Sequence, residues 1–276
     1  VSAAEIALFL HGTTLATNAL IERSGAKTAL LTTEGHRDVL EMAFENRFEQ
    51  YDINIDRRPP LVERPFRIGI RQRHTFDGEE IVPLDGTQLA QVIEKCINEG
   101  VESYAVGYLH SYVSADHEEI TADLIRELAP EASISLSSAV CPEIREYERI
   151  STTVANAYIK PLMQSYLESL NEQLRAAGVS CPLLLMTSGG GLTTLKTATE
   201  LPIRLVESGP AGGAILAANL SRALAEPSVL SFDMGGTTAK ICLIDQGEAI
   251  QSRAFEVDRA YRFKKGSGLP LRIPVI

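Results

Sequence analysis

Residues 232–240 combine amino-acid types that suit phosphate binding. The segment reads Phe-Asp-Met-Gly-Gly-Thr-Thr-Ala-Lys, so an apolar strand runs through an acidic residue, two glycines and two hydroxyl residues into another strand. Gly235 and Gly236 tolerate positive φ and, without a Cβ, let a phosphate approach the backbone. Successive N–H groups in such a turn form an anion-binding concavity, to which Thr237 and Thr238 add hydroxyl donors. The pattern predicts a phosphate-binding β-hairpin.

Asp233 stands at the end of the first strand of this hairpin. Mg²⁺ binds to few carboxylates and keeps several waters, so Asp233 could hold this ion directly or through water. The segment is not a Walker loop, because no Gly-Lys-Ser/Thr precedes a helix. A plain β-hairpin whose glycines serve only the turn is the alternative.

A second glycine-rich segment, Glu207–Gly213, opens a predicted helix. Gly209 and Pro210 suit a turn followed by the first helical position, where exposed N–H groups can hold an anion. Gly212 and Gly213 would let this helix pack closely on a neighbour. A helix start with close packing and no ligand is the alternative.

Two further polar segments follow predicted strands. Ser188–Gly191 comes after a buried strand, at a position where ligands often bind in open α/β sheets. His11–Thr14 lies between a strand and a helix, with Asn18 one turn further on. Thr13 or Thr14 could also serve only as the N-cap of that helix.

The helix that begins near Glu146 is unusually polar. At helical spacing its residues Arg149, Thr152, Thr153 and Asn156 lie close to one face. This face is either solvated, with internal ion pairs, or it lines a substrate or another domain.

No metal-ligand pattern links the histidines, and His117, inside a charged helix, is predicted to be a solvated surface residue. The cysteines are tens of residues apart and predict buried, reduced thiols and a cytoplasmic protein. The histidines are His11, His36, His74, His110 and His117, and the cysteines are Cys96, Cys141, Cys181 and Cys242.

Composition excludes several classes of protein. The 276 residues carry a net charge of −10, and 45% are hydrophobic. The apolar fraction argues against disorder, and the acidic balance argues against nucleic acid as the main partner. No apolar run reaches membrane-spanning length, so we expect no membrane partner.

The elements that position these residues alternate in type, which predicts an α/β fold. Strand Ala7–His11, helix Thr13–Arg23 and strand Lys27–Thr33 are expected to form a βαβ unit. Asp77-Gly78 predicts a hairpin that projects from the main sheet. Pro161 is expected to kink or split the long helix over residues 146–177.

Taken together, these segments resemble the hydantoinase A / 5-oxoprolinase family, which also includes the acetone carboxylase β subunit. The matches occur in a consistent order and are far more specific than one glycine turn. The matching segments are residues 11–14 with 18–20, 33–38, 146–149 with 156–158, 188–191, 207–213 and 232–238.

The resemblance implies an actin-like ATPase fold, with two lobes of ribonuclease-H-like topology and nucleotide in the cleft. Family members carry a first D-x-G-G-T hairpin near their N-terminus, and Asp233–Thr238 matches the second. The chain starts with Val and ends on an apolar run, so we expect an internal piece of a longer protein. Residues 1–227 would form most of lobe I, with an inserted hairpin near 66–84, and residues 228–276 would begin lobe II.

The resemblance further implies an ATP-dependent cyclic amidase that phosphorylates a lactam or imide carbonyl before hydrolytic ring opening. Alternatives are the β-type subunit of an ATP-dependent ketone carboxylase, or a non-catalytic nucleotide-binding scaffold. The expected ligands are ATP, Mg²⁺ and a small cyclic amide, and the expected partner is a B-type hydantoinase subunit. The oligomeric state stays open, a homo-oligomer included, and the isolated chain is expected to be inactive.

Each candidate site residue takes a role from this resemblance. Asp233 is assigned to Mg²⁺ and to catalysis. The β- and γ-phosphates are assigned to Gly235, Gly236, Thr237 and Thr238, the nucleotide side to Gly209, Gly212 and Gly213, and contacts with substrate or cleft to Asn18, Arg149 and Asn156. Some family members carry an acidic residue where this chain has Lys240, so no metal-binding role is assigned there.

Overall fold

The computed structural model of the protein describes residues 3–234, 239–261 and 263–276. Its strands are β1 (Phe9–His11), β2 (Thr28–Thr33), β3 (Arg67–Ile70), β4 (Arg73–His74), β5 (Glu80–Val82), β6 (Ser103–Gly107), β7 (Ser133–Leu136), β8 (Leu183–Met186), β9 (Leu192–Thr194), β10 (Ser228–Met234), β11 (Ala239–Asp245), β12 (Glu248–Ala249), β13 (Phe255–Val257) and β14 (Leu269–Leu271). Its α-helices are α1 (Leu15–Glu22), α2 (Val39–Met42), α3 (Gly86–Asn98), α4 (Asp116–Leu128), α5 (Ser137–Val140), α6 (Glu146–Ala176), α7 (Leu195–Glu200) and α8 (Ser208–Leu224).

The described residues fall into two compact units. Unit 1 holds those within Val1–Asn18, Met163–Phe255 and Ile273–Ile276, and unit 2 holds those within Ala19–Leu162 and Glu256–Arg272. Helices alternate with short strands in both units, as the α/β prediction requires. The predicted lobe boundary between residues 227 and 228 stays a prediction.

Unit 2 is built on a parallel sheet with the strand order β3-β2-β6-β7. Every residue of β2 is buried, as expected of a parallel strand that is covered on both faces. Leu31 packs in one apolar cluster with residues of α3 and α4. The adjacent Leu30 packs in a second cluster with Ile150 and Val154 of α6. Successive side chains of β2 therefore serve helices on opposite faces of the sheet.

The described residues of unit 1 form two smaller sheets. In the first, β8 pairs parallel with β1 and antiparallel with β9. In the second, β10, β11 and β12 form an antiparallel meander, and α8 packs against β10 and β11. The buried side of α8 carries mainly alanine, at Ala211, Ala214 and Ala218, so the helix backbone approaches these strands closely.

Three sequence predictions about the elements are wrong or only partly right. β1 and β2 do not form the expected βαβ unit, because β1 pairs with β8 whereas β2 pairs with β3 and β6. The hairpin at Asp77-Gly78 forms, but its strands are only β4 and β5, because β3 joins the parallel sheet. Helix α6 continues through Pro161 without a split.

The expected surface position of His117 is also wrong, since this side chain is buried in unit 2. The four cysteines are free thiols, as expected, and Cys96 and Cys141 are buried. None of the described helices is long and apolar enough to span a membrane.

Gly25 links α1 to β2 at a point where the chain runs against Tyr158 of α6. Ala26 N donates to Tyr158 O over 2.9 Å. A Cβ added to Gly25 would lie 2.5 Å from that same oxygen and closer still to the ring. The absence of a side chain at residue 25 is therefore what allows the two segments to meet.

We expect Gly25→Ala to lower the free energy of unfolding by about 1–3 kcal/mol, because the added methyl group overpacks a fixed contact. Urea unfolding would measure the loss. Gly86→Ala is the matched control, since a Cβ there meets no atom within 4 Å. Equal stability of the two variants would contradict this account of Gly25.

Candidate functional site

The first turns of α1 and α8 are joined by hydrogen bonds in unit 1. Ser208 Oγ donates to Thr13 O over 2.9 Å and accepts from Thr13 N over 3.2 Å. Glu207 N donates to Thr17 Oγ1 over 3.0 Å. We call residues 12–17 and 207–209 the α1–α8 junction. Each helix carries partial positive charge at its N-terminus, so the junction brings two such ends together.

Glycines form the contact between the two halves of the junction. A Cβ added to Gly12 would lie 3.8 Å from Gly209 Cα, and one added to Gly209 would lie 3.7 Å from Thr14 Cγ2. Gly12, Thr14 and Gly209 are all exposed. The surface of the junction is therefore largely main chain with a threonine hydroxyl, which suits an anion.

Glu207 occupies the N-cap position of α8 in a left-handed conformation, with φ 62° and ψ 19°. This conformation is unfavourable for a residue with a side chain. Its carboxylate is buried, and Oε2 lies 2.6 Å from Lys240 Nζ. Within the described residues the other oxygen, Oε1, is buried without a hydrogen-bond partner. The site therefore contains a buried carboxylate with one oxygen in an ion pair and the other oxygen without a partner among the described residues.

Lys240 connects this carboxylate to the predicted phosphate hairpin. It lies directly opposite Asp233 in the register of β10 and β11, and opposite residues of an antiparallel pair have their side chains on the same face. Asp233 is exposed. It lies on the same face of the strand pair as Lys240, whose side chain reaches Glu207. Leu230 and Phe232, which alternate with it, are exposed on the other face.

The tip of this hairpin lies outside the described residues. It comprises Gly235, Gly236, Thr237 and Thr238, so their assignment to phosphate stays a prediction.

The remaining glycines of the α8 start differ from those of the Ser188 segment. A Cβ on Gly213 would meet no atom within 4 Å, and one on Gly212 would lie 3.8 Å from Met186 Cε, an ordinary contact. Close packing does not require either glycine. Gly190, in contrast, has φ 78°, and a Cβ there would lie 2.9 Å from Ile215 Cδ1. The Ser188–Gly191 turn is thus fixed by packing within unit 1.

The candidate substrate residues are divided between the units. Asn18 belongs to unit 1, is exposed and follows the junction on α1. Arg149 and Asn156 belong to α6 in unit 2, where both are fully buried. Arg149 donates to Glu143 O and Tyr108 O.

Of the two alternatives for this face of α6, the solvated one is therefore wrong. Asn156 Nδ2 donates to Ser135 Oγ over 3.0 Å, and Thr152 and Thr153 are as buried as Asn156. Burial lowers the pKa of Arg149, an effect that Glu118 opposes. The substrate roles of Arg149, Asn156 and Asn18 stay predictions.

Sequence reasoning gave no role to Glu207, Lys240 or Thr17. The only signal for Glu207 is its place before the Ser-Gly-Pro start of α8. Its left-handed backbone and its ion pair with Lys240 depend on contacts between segments far apart in the chain.

Comparison with known proteins places this geometry in a family. Residues 1–129 match the family described as hydantoinase/oxoprolinase N-terminal region, and residues 149–276 match hydantoinase/oxoprolinase. An uncharacterized protein of Methanocaldococcus jannaschii is 37% identical over 278 residues, which is 99% of this chain and 41% of that protein.

Two characterised relatives are somewhat more distant. Caprolactamase subunit alpha of Pseudomonas jessenii is 33% identical over 88% of this chain and 35% of its own length. The acetophenone carboxylase gamma subunit of Aromatoleum aromaticum is 30% identical over 87% of this chain and 34% of its own length. The chain thus spans only about two fifths or less of these three relatives.

A solved structure confirms the fold. The crystal structure of ATP-dependent caprolactamase from Pseudomonas jessenii superposes with a TM-score of 0.87 at 30% identity, covering 99% of this chain and 39% of that one. The expected actin-like ATPase fold, with its parallel sheet and mixed α/β elements, is confirmed. The chain belongs to the hydantoinase/oxoprolinase family.

Proposed function

We propose that this chain binds the phosphates of ATP within a protein that opens cyclic amides. The buried carboxylate of Glu207 carries the proposal. One of its oxygens is paired with Lys240 and the other has no partner among the described residues. A buried acceptor without a partner costs free energy, so the arrangement fits a ligand that brings a cation, as a magnesium nucleotide does.

The α1–α8 junction supplies the groups that phosphate needs. Helix α8 is 17 residues long, and the N–H groups of its first turn have no partner within the helix. Together with the start of α1 they create a positive potential without a mobile cationic side chain. The exposed backbone at Gly12 and Gly209 lets phosphate oxygens approach closely.

The acidic residues fit the magnesium ion. Asp233 is opposite Lys240 in the strand pair, and Glu207 forms an ion pair with the same lysine. Asp233, with the free oxygen of Glu207, would hold Mg²⁺. The bound ion would neutralise charge on the β- and γ-phosphates.

The chemistry that we propose is phosphorylation of a lactam or imide carbonyl. An amide carbonyl is a poor electrophile because its nitrogen donates electrons to it. Transfer of the γ-phosphoryl group to the carbonyl oxygen releases ADP and leaves a carbon that water can attack. Addition of water followed by cleavage of the C–N bond, with a proton passing to the nitrogen, opens the ring as an acyl phosphate, and a second water then releases phosphate and leaves the carboxylate. The residues of the junction contribute by positioning ATP and stabilising negative charge.

The relatives support both the substrate class and a second subunit. Caprolactamase is named for a cyclic amide and is ATP-dependent, and the matching chain is its alpha subunit. We therefore propose a small cyclic amide as substrate and a B-type subunit as partner. The free cysteines support the cytoplasm as the compartment.

A ketone carboxylase is the second candidate function, favoured by the match to the acetophenone carboxylase gamma subunit.

The full-length protein with its partner subunit should be assayed for ATP hydrolysis stimulated by lactams or hydantoins. A parallel assay would contain ketone and bicarbonate. We expect stimulation by the cyclic amides. Stimulation by ketone alone would overturn the amidase, and tight ATP binding without turnover would indicate a scaffold.

We expect Asp233→Asn in the full-length protein to reduce Mg²⁺-dependent ATP turnover by about 100-fold or more, because it removes a charge that acts on the phosphates. Steady-state kinetics would measure the loss, and circular dichroism would verify the fold. The matched control is Asp245→Asn, an exposed carboxylate at the other end of the same strand pair. If both variants turn over equally, Asp233 is not a magnesium ligand.

We expect Gly213→Ala to raise the KM for ATP several-fold while the melting temperature stays the same or rises. The added methyl group meets no protein atom within 4 Å, and alanine favours a helix over glycine by about 1 kcal/mol. Gly86→Ala, which also adds a methyl group in open space at a helix start, is the control. An unchanged KM would place the nucleotide away from this turn of α8.

A further inference from the structure

A group of two imidazoles and one carboxylate lies in unit 2 and includes none of the residues assigned to nucleotide. His74 belongs to β4, Glu80 to β5 and His117 to α4. Each offers one ligand atom, and these atoms all lie within 4.8 Å of one another. His74 and Glu80 are opposite each other in the β4–β5 pairing. The rings of His74 and His117 have their centroids 4.1 Å apart.

The orientation of His117 is set by groups behind it. Its Nδ1 lies 3.0 Å from Gln72 Oε1, and Gln72 Nε2 donates to Thr33 Oγ1 over 2.6 Å. Because Gln72 Oε1 only accepts, the proton of a neutral His117 stands on Nδ1. The lone pair is then on Nε2. This is the arrangement in which an imidazole binds a metal while its other nitrogen donates to a neighbouring oxygen.

The lone pair of His117 does not point into empty space. Nε2 lies 2.7 Å from Glu80 Oε2, and two groups that only accept cannot remain at that distance without a positive charge between them. A proton would make the pair an ion pair, and a metal ion would make both atoms ligands.

His74 distinguishes these two cases. It is buried, and within the described residues neither of its ring nitrogens has a hydrogen-bond partner. A simple ion pair between His117 and Glu80 gives the adjacent imidazole of His74 no part in the group. A metal ion would use all three groups.

We propose that His74, Glu80 and His117 bind a divalent transition-metal ion of the zinc class. Two imidazole nitrogens with one carboxylate, and a water as the fourth ligand, match the preference of Zn²⁺. Mg²⁺ and Ca²⁺ prefer oxygen ligands, so this site is chemically distinct from the one at Asp233. In a tetrahedral Zn²⁺ site with bonds of about 2.0–2.1 Å, the ligand atoms lie closer to one another than 4.8 Å. The side chain of Glu80 is half-exposed and can rotate to bring its carboxylate nearer to the two imidazoles.

The site would fasten the β4–β5 hairpin to helix α4. β4 has two residues and β5 has three, and so short a hairpin is marginal without an anchor. His74 and Glu80 supply the hairpin side of the bond, and His117 near the start of α4 supplies the other.

The full-length protein, stripped with a chelator, should be titrated with Zn²⁺ in competition with a chromogenic chelator, and with Co²⁺ as a spectroscopic probe. We expect one equivalent bound at this site, a rise in melting temperature, and a Co²⁺ absorption typical of tetrahedral coordination. Glu80→Gln and His74→Phe should each weaken binding at least 100-fold. The control is Glu79→Gln, the adjacent exposed carboxylate outside the group.

A second set of variants separates this site from other metal sites and from a structural effect. Gln72→Ala should weaken Zn²⁺ binding about 10–100-fold through the orientation of His117, and Asp233→Asn should leave it unchanged. Binding that survives both Glu80→Gln and His74→Phe would overturn the proposal. So would a wild-type protein that takes up no Zn²⁺, whose His117 and Glu80 would then form an ion pair only.

Discussion

The candidate site depends on the ion pair between Glu207 and Lys240. A buried carboxylate is tolerated only when its charge is paired, and here the pairing group comes from β11, more than thirty residues later in the chain. Because Lys240 lies opposite Asp233 in the strand pair, the same bond links the α8 start to the hairpin that carries Asp233. The helix starts, the buried carboxylate and the hairpin thus form one electrostatic unit within unit 1.

Local patterns predicted the elements well, and long-range pairing less well. The helix that follows the Glu207 segment and the strands before and after residues 235–238 could be read from periodicity and turn residues, and they are present. Which strands become neighbours is decided by the faces they share in the core. This is why the expected partner of β1 was wrong, and why β3 joined the parallel sheet although it resembled one arm of a hairpin.

The residues of the candidate site also divide into those that local sequence patterns indicate and those that depend on long-range contacts. Asp233 and the glycines could be proposed as site residues because their types and order carry the signal. The role of Glu207 could not be, because it arises from a backbone conformation and a distant lysine. The polar residues of α6 left a solvated face open as an alternative, but two hydrogen bonds to backbone oxygens hold Arg149 in the interior. His117 is buried for a comparable reason, as Gln72 and Glu80 accommodate its ring nitrogens.

At Glu207 the left-handed backbone lowers the stability of the fold, whereas the side chain serves the proposed chemistry. Glycine would adopt this φ without strain, so a glutamate there destabilises the fold relative to the residue that conformation favours. The protein has lower stability with glutamate at this position but keeps the carboxylate. A search for more stable variants would therefore select glycine at residue 207 first, and would discard the carboxylate that organises the site.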